Sequence, residues 1–141
     1  ERKQALALAK FTTTLAQVSV PRVNLIAGEA YGTAAEVMNS KAIGADFVLA
    51  WPQASVGMMD AEQAVRIMYA EEIDADDDKM ALIAEKTAEY AEGQSSALAA
   101  AKRGYVDDII EPDATRKRLI AAYEMLYGKK VTPVTKKHTA V

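Results

Sequence analysis

The chain has 141 residues, half of them apolar, which is enough for one domain with a single core. Charged residues make up 26% of the chain and the formal net charge is −3, so nothing indicates a nucleic-acid surface. The chain has no cysteine, which excludes disulfides, zinc–thiolate sites and cysteine nucleophiles and is compatible with a cytoplasmic location. Its single histidine, His138, lies in a polar end segment, so we predict neither a metal site nor histidine-assisted catalysis.

A helix and a strand are the first predicted elements. Apolar residues recur at helical spacing over residues 4–18. Residues 23–27 are typical of a short buried strand, which Gly28 ends. The small residues that follow, 28–35, lead into a short helix that runs through Met38.

The rest of the chain alternates between strands and helices. Further strands are predicted at residues 46–50, 55–58 and 105–110. Further helices are predicted at residues 61–69, 79–92, 94–103 and 112–127. This alternation favours an α/β domain over residues 1–128, followed by a polar tail over residues 129–141.

The ends of the chain suggest that it belongs to something longer. It begins with a helical pattern, without an initiating methionine or a signal peptide. We interpret it as a piece of a larger protein, with a trimmed small protein as the alternative. No apolar run approaches the roughly 20 residues that span a bilayer.

Residues 28–35 have the composition of an anion-binding helix start. The first N–H groups of a helix have no partner inside it and point outward from its positive end. Small side chains let a substrate oxygen approach, and Gly32, Thr33 and Ala34 stand where such free amides are expected. The same composition also occurs where a strand and a helix only pack closely, and the residues alone leave both interpretations open.

The acidic segment 71–78 allows a different class of function. Carboxylates fall at positions 1, 3, 5 and 12 of an EF-hand calcium loop, namely Asp74, Asp76, Asp78 and Glu85. Lys79 occupies position 6, where this loop needs glycine. A calcium-binding helix–loop–helix is therefore less favoured than a solvated linker with helix caps.

Residues 30–34, Ala-Tyr-Gly-Thr-Ala, are similar to the Ala-Tyr-Gly-Gly-Ala segment of biotin-dependent acyl-CoA carboxyltransferases. This family includes propionyl-CoA carboxylase beta subunits and methylmalonyl-CoA decarboxylases. The similarity continues in register through residues 37–41, 44–46, 50–52, 101–112, 115–116 and 136–138. Several motifs in the same order thus cover nearly all of the chain after residue 15, and the chain resembles the carboxyl-terminal part of such a protein.

The resemblance implies a crotonase-like α/β fold, a ββα spiral present twice in each subunit, of which this chain is an incomplete second copy. The first copy, which is missing here, holds the acyl-CoA, and the second receives carboxybiotin. Two backbone amides of the second copy hold the ureido oxygen of biotin, and no protein acid or base is required. The implied function is carboxyl transfer between carboxybiotin and an acyl-CoA, and this chain is expected to be inactive alone.

Carried onto this sequence, the resemblance implies that Thr33 and Ala34 supply the two catalytic amides. Gly32, Tyr31 and Glu36 are the implied biotin-binding residues. Thr33 departs from the family's usual glycine, and its β-branched side chain could crowd the oxygen or demand a different backbone angle. Glu36 stands where the carboxylases often carry Asp, which leaves the acyl group open.

The resemblance also implies partners. They are a biotin carboxyl carrier protein, the amino-terminal carboxyltransferase domain of the same or another subunit, and further copies of the chain in a homo-oligomer. Membrane contact is implied only through a decarboxylase complex, and nucleic acid is not a partner. A non-catalytic assembly module is the alternative function.

Overall fold

Two small parallel sheets lie at the centre of the fold. The structure is a computed structural model that describes residues 2–130. Its strands are β1 (Val23–Ile26), β2 (Glu29–Tyr31), β3 (Phe47–Ala50), β4 (Ser55–Gly57) and β5 (Asp108–Ile109). Its α-helices are α1 (Arg2–Gln17), α2 (Gly32–Val37), α3 (Ala61–Met68), α4 (Ala70–Ala75), α5 (Lys79–Tyr90), α6 (Ala97–Lys102) and α7 (Thr115–Leu126). The alternation of strands and helices confirms the predicted α/β class.

Each sheet takes one strand from each of two successive ββα units. Strands β1, β3 and β5 form a three-stranded parallel sheet, and β2 and β4 form a two-stranded parallel sheet. The chain crosses from the first sheet to the second between β1 and β2, and again between β3 and β4. Hydrogen bonds from the Trp51 amide to the Ile26 carbonyl (2.9 Å) and from the Ser55 amide to the Gly28 carbonyl (3.1 Å) join the two crossings. The repeat β1–β2–α2 followed by β3–β4–α3 is the pattern of a ββα spiral.

The core between the sheets and α6 is built mainly from small residues. Its buried members are Ala45, Val48, Ala50, Ala54, Ala97, Ala100 and Val106. Because alanine has little bulk, α6 packs close to the strand backbones. A second buried cluster, Val65, Ile73 and Ile83, joins α3, α4 and α5.

Several local predictions differ from the structure, and the strand predicted at residues 105–110 is reduced to Asp108–Ile109. Residues 29–31 form the separate strand β2, because they pair with β4 in parallel register from Glu29↔Ser55 to Tyr31↔Gly57. The acidic segment, predicted as a linker, is helical as far as Ala75. Gly93 does not separate two helices, because α5 continues directly into a π-helical turn over Ala91–Ser95. Strand β2 follows from pairing with a distant strand, and the helical acidic segment from the packing of Ile73 against Val65 and Ile83.

The two ends of the described chain differ in how they pack. The predicted amino-terminal helix is confirmed as α1, but none of its residues is buried. Lys129, the first residue of the predicted polar tail, is half-buried and lies 2.8 Å from Asp46. The rest of that tail, with His138 and its flanking lysines, lies outside the described residues, and the division at residue 128 stays a prediction. Within residues 2–130, no helix is long and apolar enough to cross a membrane.

Arg22 connects the end of α1 to the turn before β3. Only 8% of this residue is exposed. Its guanidinium donates hydrogen bonds to the carbonyl oxygens of Leu15 (2.6 Å), Ile43 (2.9 Å) and Gly44. This one buried side chain therefore ties the end of α1 to the turn before β3.

Asp46 adds the end of the described chain to this cluster. Its carboxylate accepts hydrogen bonds from the Arg22 amide (2.7 Å) and from Lys129 Nζ (2.8 Å). Burial raises the pKa of the Asp46 carboxyl, but the Lys129 and Arg22 hydrogen bonds and charges outweigh burial and hold this pKa below its usual value. We call Arg22, Asp46 and Lys129 the Arg22 cluster.

Candidate functional site

The strand-to-helix junction at Gly32 is the centre of the candidate site. Strand β2 ends at Tyr31, and Gly32 turns the chain into α2 with a φ of 60°. A Cβ atom at Gly32 would stand 3.1 Å from the Met58 carbonyl oxygen. Both the left-handed backbone and this close approach require glycine. The junction is therefore a sharp turn that exposes the beginning of a helix.

The amides of Thr33 and Ala34 lie in the first turn of α2, where no intrahelical partner exists. Within residues 2–130, neither amide donates a hydrogen bond to the backbone of another element. Both residues are exposed. Their N–H groups are thus available to an acceptor from outside the chain.

Thr33 does not carry the strain of the turn. Among the described residues other than glycine, positive φ occurs at Asn39, and Thr33 has ordinary helical geometry. The positive φ falls on Gly32 instead. Threonine is therefore accommodated at this position without the different backbone angle that its β-branched side chain might demand.

A cavity of about 790 Å³ opens beside this junction. Its wall includes Gly32 and Glu36 among the predicted site residues, whereas Tyr31, Thr33 and Ala34 are not part of its lining. The remaining lining comes from the four strands β1–β4, the turn before β3, the end of α5 with the π-helical turn, and residues 103–105 after α6. It includes Asn24, Ser40, Lys41, Gly57, Met58, Tyr90, Gln94, Ser95 and Arg103. The amides therefore border the cavity at Gly32 rather than project into its middle.

An ion pair holds one wall of the cavity in place. Lys41 Nζ lies 2.7 Å from Asp107 Oδ2 and donates to the Asp46 carbonyl at 3.1 Å. The same Asp107 oxygen accepts a hydrogen bond from the Val48 amide at 2.7 Å. Lys41 therefore joins the cavity wall to β3 and to the segment before β5, and Asp107 has a structural role.

Gly57 and Ser95 are among the cavity residues that were not predicted from the sequence. Ser95 is only 2% exposed and lies at the end of the π-helical turn. Gly57, in β4, would place a Cβ atom 3.5 Å from Ser95 Oγ. An isolated glycine inside a predicted strand is a known sign of close approach, so Gly57 could have been identified from the sequence. Nothing local distinguishes Ser95.

Trp51 lies away from this cavity. Its indole N–H donates to Thr115 Oγ1 at 2.9 Å, which ties the end of β3 to the start of α7. It lines a separate groove of about 770 Å³ along α7, with Leu119, Ile120 and Tyr123. The indole therefore serves packing between elements.

The acidic segment forms helix caps and a local ion pair. Asp76 accepts a hydrogen bond from the Asp78 amide (2.7 Å), and Asp78 accepts one from the Ala81 amide (3.2 Å). Lys79 Nζ lies 3.3 Å from Asp74. Among residues 2–130, no three acidic or histidine side chains are grouped to hold a metal ion. These contacts agree with the capping interpretation and give calcium binding no support.

Comparison with known proteins decides the family. Residues 7–141 match the family described as carboxyl transferase domain. The chain belongs to this family. The carboxyltransferase subunit of propionyl-CoA carboxylase from Haloferax mediterranei is 43% identical over 130 residues, 92% of this chain and 25% of the relative. The methylmalonyl-CoA decarboxylase alpha subunit of Propionigenium modestum is 41% identical over 130 residues, which again are 92% of this chain and 25% of the relative.

A solved carboxyltransferase has the same fold. The transcarboxylase 12S crystal structure, described as a hexamer with methylmalonyl-coenzyme A and methylmalonic acid bound, superimposes with a TM-score of 0.89. The two sequences are 37% identical, and the superposition covers 96% of this chain and 26% of the transcarboxylase chain. The carboxyltransferase chain is therefore crotonase-like, as predicted, and spans about a quarter of the length of these relatives.

Proposed function

We propose that this carboxyltransferase chain supplies the biotin side of a carboxyl-transfer site, with the Thr33 and Ala34 amides as the oxyanion donors. The observation that carries the proposal is the pair of free amides behind the Gly32 turn. Hydrogen-bond donors that are fixed before the reaction stabilise charge as it develops on an acceptor oxygen. Family membership supports carboxyl transfer to or from an acyl-CoA as the reaction.

The residues at the junction fit a biotin ring. The cavity volume of about 790 Å³ is in the range of small-molecule sites. Gly32 and Gly57 both line the cavity, and a Cβ atom at either position would make it narrower. Tyr31 sets the direction of entry into α2, and Glu36 lies on the cavity wall one turn further along the same helix.

The proposed mechanism needs only backbone donors from this chain. Carboxybiotin, when bound, would supply the carboxyl group, which is exchanged at its ring nitrogen. The Thr33 and Ala34 amides would hold the ureido oxygen by hydrogen bonds and would stabilise negative charge on it. Gly32 holds the two N–H groups in a fixed direction, because its turn is packed against the Met58 carbonyl.

The other half of the site lies outside this chain in our proposal. The transcarboxylase 12S structure binds methylmalonyl-coenzyme A in a chain about four times as long, and its description names a hexamer. We infer that acyl-CoA is held by an amino-terminal carboxyltransferase domain of the same or another subunit. A biotin carboxyl carrier protein then delivers the ring, and copies of the complete subunit form a homo-oligomer.

The isolated 141-residue chain is expected to show no carboxyl transfer from methylmalonyl-CoA to free biotin, the reaction that would leave propionyl-CoA and carboxybiotin. It contains only one of the two binding halves that the proposal requires. The chain is incubated with biotin and ¹⁴C-methylmalonyl-CoA. Chromatography of the CoA esters then measures how much propionyl-CoA has formed. Turnover above the rate without protein would contradict the division of the site between two halves.

A titration followed by NMR tests the oxyanion donors. Addition of biotin to the ¹⁵N-labelled chain is expected to shift the amide proton signals of Thr33 and Ala34 downfield. Thr33→Pro deletes one N–H that has no intrahelical partner, and the amide signals of Gly32 and Met58 show whether the turn before it is kept. We expect this variant to bind biotin roughly twofold to tenfold more weakly, the usual value of one hydrogen bond.

Thr33→Ala is the matched control, because it removes the threonine side chain and keeps the amide. We expect it to bind biotin as the wild type does. Equal affinity of the proline variant and the wild type, or wild-type amide signals that do not move, would exclude the proposed donors.

Assembly is the second candidate function, and exposed apolar side chains favour it. Ile120, Tyr123, Met125 and Tyr127 on and after α7 are each about half exposed or more, and the groove beside Trp51 continues this surface. An assembly module would bind no biotin at the Gly32 junction. The same titration therefore separates a purely structural chain from one that also carries the site.

A further inference from the structure

The hydroxyl of Ser95 is a buried polar group in the wall of the cavity beside Gly32. The residue is 2% exposed and contributes to the cavity lining. Its neighbour Ser96 uses its hydroxyl to cap α6, accepting from the Ala99 amide at 3.2 Å. Among the hydrogen bonds within residues 2–130, the Ser96 hydroxyl has partners in Glu92 and Ala99, and none involves the Ser95 hydroxyl.

The position of Ser95 is determined by two features of the fold. The π-helical turn Ala91–Ser95 shifts the register of the helix by one residue, which turns the Ser95 side chain toward β4. A backbone bridge between Ser55 and Ser96 then fixes the end of this turn against β4. π-Helical turns occur often at functional sites, because the extra residue directs a side chain that a regular helix would point elsewhere.

Ser95 Oγ lies on the same side of the small sheet as the Gly32 junction. A Cβ atom built on Gly57 would stand 3.5 Å from Ser95 Oγ and 3.7 Å from the Tyr31 ring. Gly57 is the register partner of Tyr31, the residue before Gly32. Gly57, which has no side chain, therefore lies between the Ser95 hydroxyl and Tyr31, the strand end that precedes the Thr33 and Ala34 amides.

We propose that Ser95 is a ring-binding residue whose hydroxyl accepts a hydrogen bond from an N–H of the biotin urea. This inference rests on the proposed function and adds a contact to the same site. A cyclic urea carries one carbonyl acceptor and N–H donors beside it. The Thr33 and Ala34 amides provide donors for the carbonyl, and Ser95 provides the acceptor that the N–H requires.

Ser95→Ala and Ser95→Cys test this contact in the 141-residue chain. Both keep a small side chain, and both remove the hydroxyl, since a thiol is a weak hydrogen-bond partner. With biotin as the titrated probe, each variant is expected to bind roughly threefold to tenfold more weakly than the wild type. Pentanoic acid, which has the tail of biotin without the urea ring, is expected to bind all three proteins equally.

Ser55→Ala is the matched control. It makes the same serine-to-alanine change in β4, at a residue that does not line the cavity. We expect it to leave the biotin affinity unchanged. The ¹⁵N spectrum of each variant shows whether it is folded, and the shifts of the Thr33 and Ala34 signals report the proposed function separately.

The outcomes distinguish the two proposals. Wild-type Thr33 and Ala34 signals that move with biotin, together with unchanged affinity in the alanine and cysteine variants, would overturn the role of Ser95 and leave the amides in place. Signals that do not move in the wild type would overturn both. An equal loss of biotin and pentanoic acid binding would show that Ser95 supports only the shape of the cavity.

Discussion

Replacing Arg22 with methionine is expected to lower the free energy of unfolding by about 2–4 kcal/mol. Methionine keeps the length of the side chain but removes the guanidinium. The carbonyls of Leu15, Ile43 and Gly44 then lose their donor in a partly buried position. A buried carbonyl without a partner costs about 1–3 kcal/mol, and three are affected, of which water can reach some.

Urea unfolding at pH 7, followed by circular dichroism, measures this loss. Arg118→Met is the control, because Arg118 is exposed and lies 3.8 Å from its acidic partner Asp108. An exposed pair of this kind contributes about 0–1 kcal/mol, so the control is expected to stay close to the wild type. Equal stability of the Arg22 and Arg118 variants would mean that the three carbonyls are satisfied in another way.

The effect of Arg22 should also reach the candidate site. Arg22 binds the carbonyls that end the turn carrying Lys41, and Lys41 lines the cavity. The Arg22 amide donates a hydrogen bond to the Asp46 carboxylate, and the Arg22 carbonyl accepts one from the Asp46 amide. Both bonds lie at the start of the β1–β3 pairing, which begins at Val23↔Phe47. The cluster therefore fixes the register of β1 against β3, and β1 is the strand that leads to the junction.

The elements that were correctly predicted have patterns that depend only on neighbouring residues. Asp60 caps α3 by accepting from the Glu62 amide at 3.0 Å, as its place before an apolar-periodic run predicts. Gly104 ends α6 with a φ of 82°, which is the left-handed geometry of a helix C-cap. Strand β3 is almost entirely buried and has the continuous apolar sequence of a covered parallel strand.

The elements that were missed depend on residues far away in the chain. Strand β2 has three residues and exists because β4 pairs with it, which no window of local sequence contains. Gly93 disfavours a helix, yet the packing of Tyr90 against the cluster of α3 and α5 carries the helical backbone past it. The π-helical turn, and with it the position of Ser95, follows from this tertiary packing.

The candidate site was predictable in its residues more than in its shape. The motif at residues 30–34 locates the Gly32 turn, and the positive φ agrees with the need for glycine there. Composition alone could not separate an anion-binding helix start from close packing, and it is the resemblance to a known family that favours the first. The lining contributed by residues 90–95 could not be predicted, because it comes from a segment about 60 residues further along the chain.

The wild-type chain is expected to lose one identifiable part of its stability in acid, and Asp46→Asn is expected to remove that part at all pH values. The hydrogen bonds from Lys129 and the Arg22 amide hold the folded-state pKa of Asp46 below its usual value, against the opposing effect of burial. A lowered folded-state pKa means that the unfolded chain takes up the proton first as the pH falls. The carboxylate therefore stabilises the fold above the unfolded-state pKa of about 3.9.

The difference in unfolding free energy between wild type and Asp46→Asn should follow the same pH range. At pH 7 we expect the variant to be less stable by about 1–3 kcal/mol, since it weakens two hydrogen bonds to a charged acceptor and leaves Lys129 without its partner. This difference should stay constant down to about pH 5 and shrink as the pH falls below about 4. Urea unfolding at a series of pH values gives both curves.

Asp77→Asn controls for the loss of any one carboxylate, because Asp77 is exposed in the turn before α5. We expect its stability curve to run parallel to that of the wild type over the whole series. If the Asp46 and wild-type curves also stayed parallel below pH 4, the carboxylate would gain nothing from Lys129. The end of α7 would then be held against β1 and β3 by packing alone, and the Arg22 cluster would lose its third member.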